Sequence, residues 1–97
     1  EVFGPVACLY SFATEAEALE LANATQAGLA AYVYTSNLER LERCAENLEA
    51  GVVGANSPMI FANDLPFGGI KQSGIGREHG MDCLDEYVEI KSVCVGQ

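Results

Sequence analysis

The chain has 97 residues, 49% of them hydrophobic, and 14 acidic against 5 basic side chains give it a formal net charge of -9. Such a negative surface repels nucleic-acid phosphates and anionic membranes, so we expect neither a nucleic-acid nor a membrane partner. No apolar run approaches the roughly 18 residues of a membrane span and no charged-then-apolar leader opens the chain, so we expect a cytoplasmic protein.

The first predicted elements are a strand and a helix. Val6 to Phe12 is a short apolar run with two aromatic residues, which is typical of a strand. Thr14 opens a Thr-Glu-Ala-Glu capping box, in which the hydroxyl and the Glu17 carboxylate each accept a backbone N–H at the start of a helix. This pattern predicts a helix that continues to about Asn23.

A second strand and a second helix are predicted next. Gly28 is expected to end the first helical segment, and residues 29–35 contain the sequence Tyr-Val-Tyr, which favours a strand. Ser36 with Glu39 forms another capping box, and apolar residues then recur at three- and four-residue steps. Gly51 is the expected stop of that helix.

The remaining elements complete an α/β fold. Val52 to Asn56 predicts a third strand, and the resulting β-α-β-α-β order predicts a three-layer fragment with mainly parallel strands. Residues 66–78 contain four glycines without a regular period, so they predict a long Gly-rich loop. A short helix is expected over Arg77 to Leu84. Tyr87 to Val95 alternates in polarity like a half-buried strand.

The Gly-rich loop has poor spacing for binding phosphate. A P-loop needs Gly-Lys-Ser/Thr in sequence, whereas Lys71 is separated from Gly69 by one residue. A dinucleotide motif that starts at Gly74 would need its third glycine where His79 stands. We therefore expect this loop to pack against another part of the protein.

The cysteines predict no metal centre. They stand at positions 8, 44, 83 and 94, without a C-x-x-C pair, and His79 is the one histidine of the chain. A disulfide framework is conceivable. The ordinary hydrophobic content favours buried thiols instead.

Several irregular motifs follow one another along essentially all 97 residues. They are Glu1 to Pro5, Gly28 to Ala31, Ala50 with Gly51, Asn56, Pro66 to Lys71, Ser73 to Glu78 and Tyr87 to Lys91. In this order they resemble the C-terminal end of the aldehyde dehydrogenase superfamily, and the Gly-rich loop and the tail most resemble its succinate-semialdehyde dehydrogenase-like branch. The resemblance implies that residues 1–86 are the C-terminal part of a catalytic domain and that residues 87–97 are an oligomerisation strand.

The resemblance also implies an activity, the oxidation of an aldehyde to a carboxylic acid with NAD or NADP. In the family, the nucleophilic cysteine, the glutamate base and the dinucleotide-binding domain lie upstream of this segment. The chain begins at Glu1 in the middle of a family motif, so we expect a piece of a longer parent that is inactive alone. The alternative is a stand-alone interaction module that associates through its last strand.

The family motifs place four residues at the cofactor and the substrate. Glu1 matches a carboxylate that binds the hydroxyls of the nicotinamide ribose, and Phe3 matches an aromatic residue beside the nicotinamide ring. Phe61 and Phe67 fall on positions that line the aldehyde tunnel. Ordinary core packing is the alternative role for these two aromatic residues.

Two further residues match an interface of the family. Arg77 and Glu89 correspond to a pair that supports the subunit interface and the cofactor site through charge-assisted hydrogen bonds. Isolated surface charges are the alternative. Self-association is expected through the strand from Tyr87 to Val95, because an exposed apolar edge requires a partner.

Overall fold

The fold is built on two parallel strands, each of which follows or precedes a helix. The structure is a computed structural model that describes residues 2–97. The sheet pairs Ala30 with Val52 and continues in register to Val33 with Ala55. The elements are α1 (Glu15–Asn23), β1 (Ala30–Val33), α2 (Leu38–Asn47) and β2 (Val52–Ala55), followed by 3-10 helices at Lys71–Ser73 and Asp82–Tyr87. The α/β class and the parallel pairing are therefore confirmed.

Helix α1 begins at the predicted capping box. The Thr14 hydroxyl accepts the Glu17 N–H at 3.2 Å, and the Glu17 carboxylate accepts the Ala13 N–H at 2.7 Å. These two bonds satisfy donors that the first helical turn would otherwise leave unpaired.

Helix α2 differs from the prediction at both ends. It is capped by Asn37, whose side chain accepts the Arg40 N–H at 2.9 Å, so the predicted cap at Ser36 is wrong by one residue. The Thr35 hydroxyl accepts the Asn37 N–H and fixes this turn. The helix ends at Asn47, before the predicted stop at Gly51.

An ion-pair cluster joins the two helices. The Glu15 carboxylate accepts from Arg43 Nε at 2.8 Å, from Arg43 Nη2 at 3.0 Å and from Arg40 Nε at 3.1 Å. The hydrogen bonds from Arg43, and secondarily from Arg40, lower the pKa of Glu15 from 4.5 to about 2. The same contact with Glu15 raises the pKa of Arg43. Two of the five basic side chains are thus committed to holding α1 against α2.

The Gly-rich loop lies across the amino ends of both strands. Gly28 is buried, and its carbonyl accepts the Gly51 N–H at 3.0 Å and the Ile70 N–H at 2.9 Å. Its own N–H donates to the Ser73 hydroxyl at 2.8 Å. A Cβ at Gly51 would lie 1.7 Å from the Gly68 carbonyl oxygen. Gly51 is therefore required by this close crossing of two backbones.

Lys71 links the same loop to the C-terminal end of α1 through hydrogen bonds. Its Nζ donates to the Asn23 carbonyl at 2.9 Å and to the Thr25 carbonyl at 3.2 Å, and it forms an ion pair with Glu49. A cation is favourable at these carbonyls because the C-terminal end of a helix carries partial negative charge.

The short helix predicted over Arg77 to Leu84 is displaced. The backbone is left-handed at His79, with a φ of 61°, and at Gly80, with a φ of 63°. Left-handed residues interrupt a right-handed helix, so the helical turn begins only at Asp82.

Two of the predicted strands pair with no neighbouring strand within residues 2–97. The prediction of a strand over Val6 to Phe12 is wrong for this chain: Leu9 is 90% exposed, and the backbone hydrogen bond of the segment joins Val6 N–H to the Gly4 carbonyl. The tail after Tyr87 is likewise exposed rather than half-buried, with Ile90 at 99%. A strand needs a neighbour to satisfy its backbone groups, and the described residues supply none here.

The core is small for a chain of this length. Its buried apolar side chains are Cys44, Val52 and Ile60. The burial predicted for the other thiols is wrong for Cys8 and Cys94, which are exposed, and Cys83 is half-buried. Within residues 2–97 no helix is long and apolar enough to cross a membrane.

The surface and shape show that much apolar area is left uncovered by the described residues. The accessible surface is 8063 Å², against roughly 5,400 Å² for a compact monomer of this mass. The radius of gyration is 18.0 Å, against roughly 13 Å for a compact domain. The described chain spans 69 Å along its longest axis.

We predict that Gly51→Ala loosens the Gly-rich loop. The new methyl group would overlap the Gly68 carbonyl, so the loop must move, at a cost of about 2 kcal/mol. Amide hydrogen exchange at Ile70 should accelerate about thirty-fold. Gly4→Ala is the matched control, because a Cβ there meets nothing within 4 Å. Equal protection of Ile70 in both variants would contradict this account of the crossing.

Candidate functional site

The structure brings together the two aromatic residues that were predicted to line the aldehyde pocket. The ring centroids of Phe61 and Phe67 lie 4.8 Å apart with a 38° angle between the planes, which is a favourable tilted stack. Phe67 is half-buried, whereas Phe61 is 61% exposed. The buried Ile60 precedes Phe61 and fixes the backbone on that side. We call these two side chains the aromatic pair.

A short antiparallel bridge holds Phe67 in place. The Phe67 N–H donates to the Glu78 carbonyl at 2.8 Å, and the Glu78 N–H donates to the Phe67 carbonyl at 2.7 Å. Residues opposite each other in such a bridge share a face, and their neighbours point to the other face. The register therefore puts Glu78 on the face of Phe67 and Arg77 on the opposite one.

Arg77 is bound to the loop that carries it. Its Nη1 donates to the Gly76 carbonyl at 2.7 Å and to the Gly69 carbonyl at 3.1 Å. A Cβ at Gly68 would lie 3.0 Å from Arg77 Cδ, so the side chain passes directly over this glycine. The predicted pairing of Arg77 with Glu89 is not formed within residues 2–97, and Glu89 is exposed. The interface role of these two residues stays a prediction.

An adjoining cleft of about 620 Å³ lies between the Gly-rich loop and the second 3-10 helix. The Glu86 carboxylate lies against Gly76 there, and Cys83 Sγ donates to the Gly80 carbonyl at 3.1 Å. Across the described part of the chain, no three His, Cys, Asp or Glu side chains are grouped to hold a metal ion. The groups that line this cleft include Phe67, Arg77, Glu78, His79, Cys83 and Glu86.

Asn56 positions the segment that leads to the aromatic pair. Its Oδ1 accepts the Thr35 N–H and its Nδ2 donates to the Thr35 carbonyl, both at 2.9 Å. The side chain thereby continues the strand pairing one step beyond β2, at the carboxyl ends of both strands. Ligand sites in α/β sheets are usually at this edge.

The sequence patterns place Asn56 at the end of the third predicted strand and in one of the matching motifs, but they do not predict its hydrogen bonds to Thr35. The available signal was an asparagine directly after a strand, because asparagine tolerates the left-handed backbone better than most residues. Its φ is 53°.

The structure describes one of the two predicted cofactor residues. Glu1 lies outside the described residues. Phe3 is 94% exposed, so its ring is available for contact with another group. The structure does not bring Phe3 into the aromatic pair.

Comparison with known proteins identifies the family. The model of the aldehyde dehydrogenase family matches residues 1–93. Mitochondrial succinate-semialdehyde dehydrogenase of Oryza sativa subsp. japonica is 52% identical over 96 residues, which cover 99% of this chain and 18% of that protein. The predicted resemblance to the succinate-semialdehyde dehydrogenase-like branch is therefore confirmed.

Solved structures agree with the sequence match. The crystal structure of succinate-semialdehyde dehydrogenase from Burkholderia pseudomallei superposes with a TM-score of 0.87 at 52% identity, over 96% of this chain and 19% of that one. Betaine aldehyde dehydrogenase from Staphylococcus aureus in complex with NAD+ gives a TM-score of 0.85 at 45% identity, over 90% of this chain and 17% of that one. The present chain thus spans about a fifth of the length of these relatives.

We predict that Asn56→Ala destabilises the protein by about 1–2 kcal/mol through loss of two hydrogen bonds, with a further cost from the left-handed backbone. Asn56→Gly loses the same bonds but adopts a positive φ freely, so it should be about 1 kcal/mol less harmful. Urea unfolding of both variants separates the two effects. If both variants unfold like the unmodified protein, the amide does not hold this segment.

Proposed function

This chain belongs to the aldehyde dehydrogenase family, and we propose that it is the C-terminal part of an NAD(P)-dependent enzyme that oxidises an aldehyde to a carboxylic acid. The observation that carries the proposal is the match of 99% of the chain to about a fifth of a dehydrogenase at 52% identity. The stacked aromatic pair supports it, because an apolar wall suits an aldehyde tail.

The exposed apolar surface supports a place inside a larger protein. Leu9 is 90% exposed, Tyr10 76% and Ile75 99%. Large exposed apolar patches normally mark an interface with other protein. A stand-alone interaction module, the alternative function, would also need a partner to cover this surface.

The proposal assigns cofactor contacts to the start of the chain. Phe3 would pack beside the nicotinamide ring, and its 94% exposed side chain fits that role because the ring is free on this chain. Glu1 would bind the ribose hydroxyls. A bound nicotinamide cofactor would supply the hydride acceptor for the oxidation. The NAD+ complex of the Staphylococcus aureus relative supports a cofactor of this type.

In this proposal the residues of the chain position the substrate rather than react with it. Phe61 and Phe67 would restrict the aldehyde tail and exclude water from it. Ser73, Lys71 and Arg77 would hold the loop that carries Phe67 against the sheet. The nucleophile would come from another part of the parent, since Cys44 is a buried residue of α2 and the Cys83 thiol donates to a carbonyl of its own loop.

The tail would complete an interface between subunits. Ile90 is 99% exposed and Val95 88%, on a segment whose backbone pairs with nothing in residues 2–97. Such an edge is satisfied by adding to a sheet of another chain. Arg77 and Glu89 would support that interface and the cofactor site through charge-assisted hydrogen bonds. The cytoplasmic location stays a prediction, and the Oryza relative is named as mitochondrial.

We predict that the complete protein encoded by the reading frame of this chain reduces NAD or NADP when given an aldehyde, and that the 97-residue chain alone does not. The assay follows the absorbance of the reduced nicotinamide and identifies the acid by chromatography. Cys8→Ala in the complete protein should retain turnover, because this exposed thiol is not the nucleophile. Turnover by the isolated chain, or no acid from any aldehyde with the complete protein, would overturn the proposal.

A second prediction concerns the tail. Removing residues 87–97 from the complete protein should abolish self-association, because the edge that meets the neighbouring subunit is lost. Light scattering coupled to size exclusion measures the mass. Removal of Gly96 and Gln97 alone is the control and should leave the mass of the assembly unchanged. An unchanged mass for the longer truncation would rule out association through this segment.

A further inference from the structure

We propose that Asn23 is a positioning residue which, through Lys71, sets the place of the loop that carries Phe67. The inference rests on the function proposed above and deepens it, because it assigns a part in substrate binding to a residue outside the candidate site. A closed ring of polar contacts carries it. We call this ring the Asn23 clamp, and its members, each bonded to the next, are Asn23, Glu49 and Lys71.

The side chain of Asn23 joins the ends of the two helices. Asn23 is the last residue of α1, and its Nδ2 donates to the carbonyl of Asn47, the last residue of α2, at 2.8 Å. Its Oδ1 accepts the Glu49 N–H at 2.9 Å. The last carbonyls of a helix lack a donor within that helix, so this amide satisfies one end of α2 from α1. Both its donor and its acceptor are occupied, which fixes the orientation of the side chain.

Lys71 closes the ring from the Gly-rich loop. Its Nζ donates to the carbonyl of Asn23 at 2.9 Å and forms an ion pair with the Glu49 carboxylate. Asn23 therefore holds Lys71 in two ways, directly through its carbonyl and indirectly through the placement of Glu49. Loss of the Asn23 amide would free the backbone of Glu49 and weaken the second hold.

The backbone at Lys71 needs contacts of this kind to keep its conformation. Its φ is 54°, in the left-handed region that is unfavourable for a residue with a Cβ. The preceding Ile70 N–H donates to the Gly28 carbonyl at 2.9 Å. The following Gln72 N–H donates to the Gln26 carbonyl, also at 2.9 Å. Residues persist in such a conformation where surrounding contacts over-determine it, and such positions cluster at functional sites.

The hold at Lys71 bears on the place of Phe67. Lys71 follows Phe67 by four residues, and Gly68 and Gly69 between them have no side chain to hold the loop. The bridge between Phe67 and Glu78 closes the loop on itself, so a shift at Lys71 carries Phe67 with it. Asn23 is not among the described residues that line the cleft beside Phe67. Its effect on a substrate must therefore pass through Lys71.

The experiment measures oxidation of succinate semialdehyde and of butanal by the complete protein with Asn23→Leu, Lys71→Met and the two changes combined. Leucine has a volume close to that of asparagine and makes neither bond of the amide. We expect each single change to raise KM for the better aldehyde about ten-fold with kcat little changed, because a displaced wall loses binding. The double variant should match Lys71→Met, because both changes break one link.

Two further variants separate positioning from stability. Asn47→Leu is the matched control, since the Asn47 side chain donates to the Arg43 carbonyl inside α2 and takes no part in the Asn23 clamp. It removes an amide at a helix end but should leave KM for the aldehyde unchanged. Lys71→Arg should restore KM to within about three-fold, because a guanidinium also donates to carbonyls and to a carboxylate.

The outcomes separate this inference from the proposed function. Absence of turnover by the unmodified complete protein with every aldehyde tested would overturn both. Turnover with an unchanged KM in folded Asn23→Leu, or a fall in kcat alone, would leave the function in place and overturn the positioning role. A double variant whose KM rises by the product of the two single effects would show that Asn23 does not act through Lys71. If Asn23→Leu fails to fold, Asn23→Ser replaces it and is judged by the same rise in KM.

Discussion

The packing of the Gly-rich loop against the two-stranded sheet depends on one carbonyl group, that of Gly28. This oxygen accepts the backbone N–H of both Gly51 and Ile70. Three stretches of backbone, the lead into β1, the lead into β2 and the Gly-rich loop, meet at this oxygen. They approach so closely that a side chain at Gly51 would overlap the Gly68 carbonyl. Glycine is therefore a geometric requirement of the crossing. Movement at this point would displace Phe67, since the loop that crosses here also carries it.

The candidate site follows from that crossing. The loop is fixed at one end by Ile70 and closes on itself through the bridge between Phe67 and Glu78, so the ring of Phe67 has a defined place. Phe61 reaches it from the segment that Asn56 attaches to the sheet. The small core contributes through Ile60, which is buried directly before Phe61. The site thus depends largely on backbone hydrogen bonds and on close contacts at glycines.

Local signals in the sequence were sufficient for α1, β1, β2 and their parallel order, because capping and β-branched patterns act over a few residues. The start of α2 was misplaced because Ser36 and Asn37 are both good caps, and only geometry selects between them. Left-handed residues at His79 and Gly80 delayed the last helical turn, which periodicity does not reveal. The roles of the aromatic pair came from family resemblance. Their stacking is a long-range result that no local pattern predicts.

The most direct test of the proposed function is a structure of the complete protein with the acid product of its aldehyde substrate bound. We expect the tail of the product to lie against the exposed face of Phe61 and beside Phe67, with the apolar side chains of Leu9 and Tyr10 covered by the rest of the enzyme. A product bound far from both rings, or Leu9 and Tyr10 still open to water, would contradict the proposed role of this chain in aldehyde oxidation.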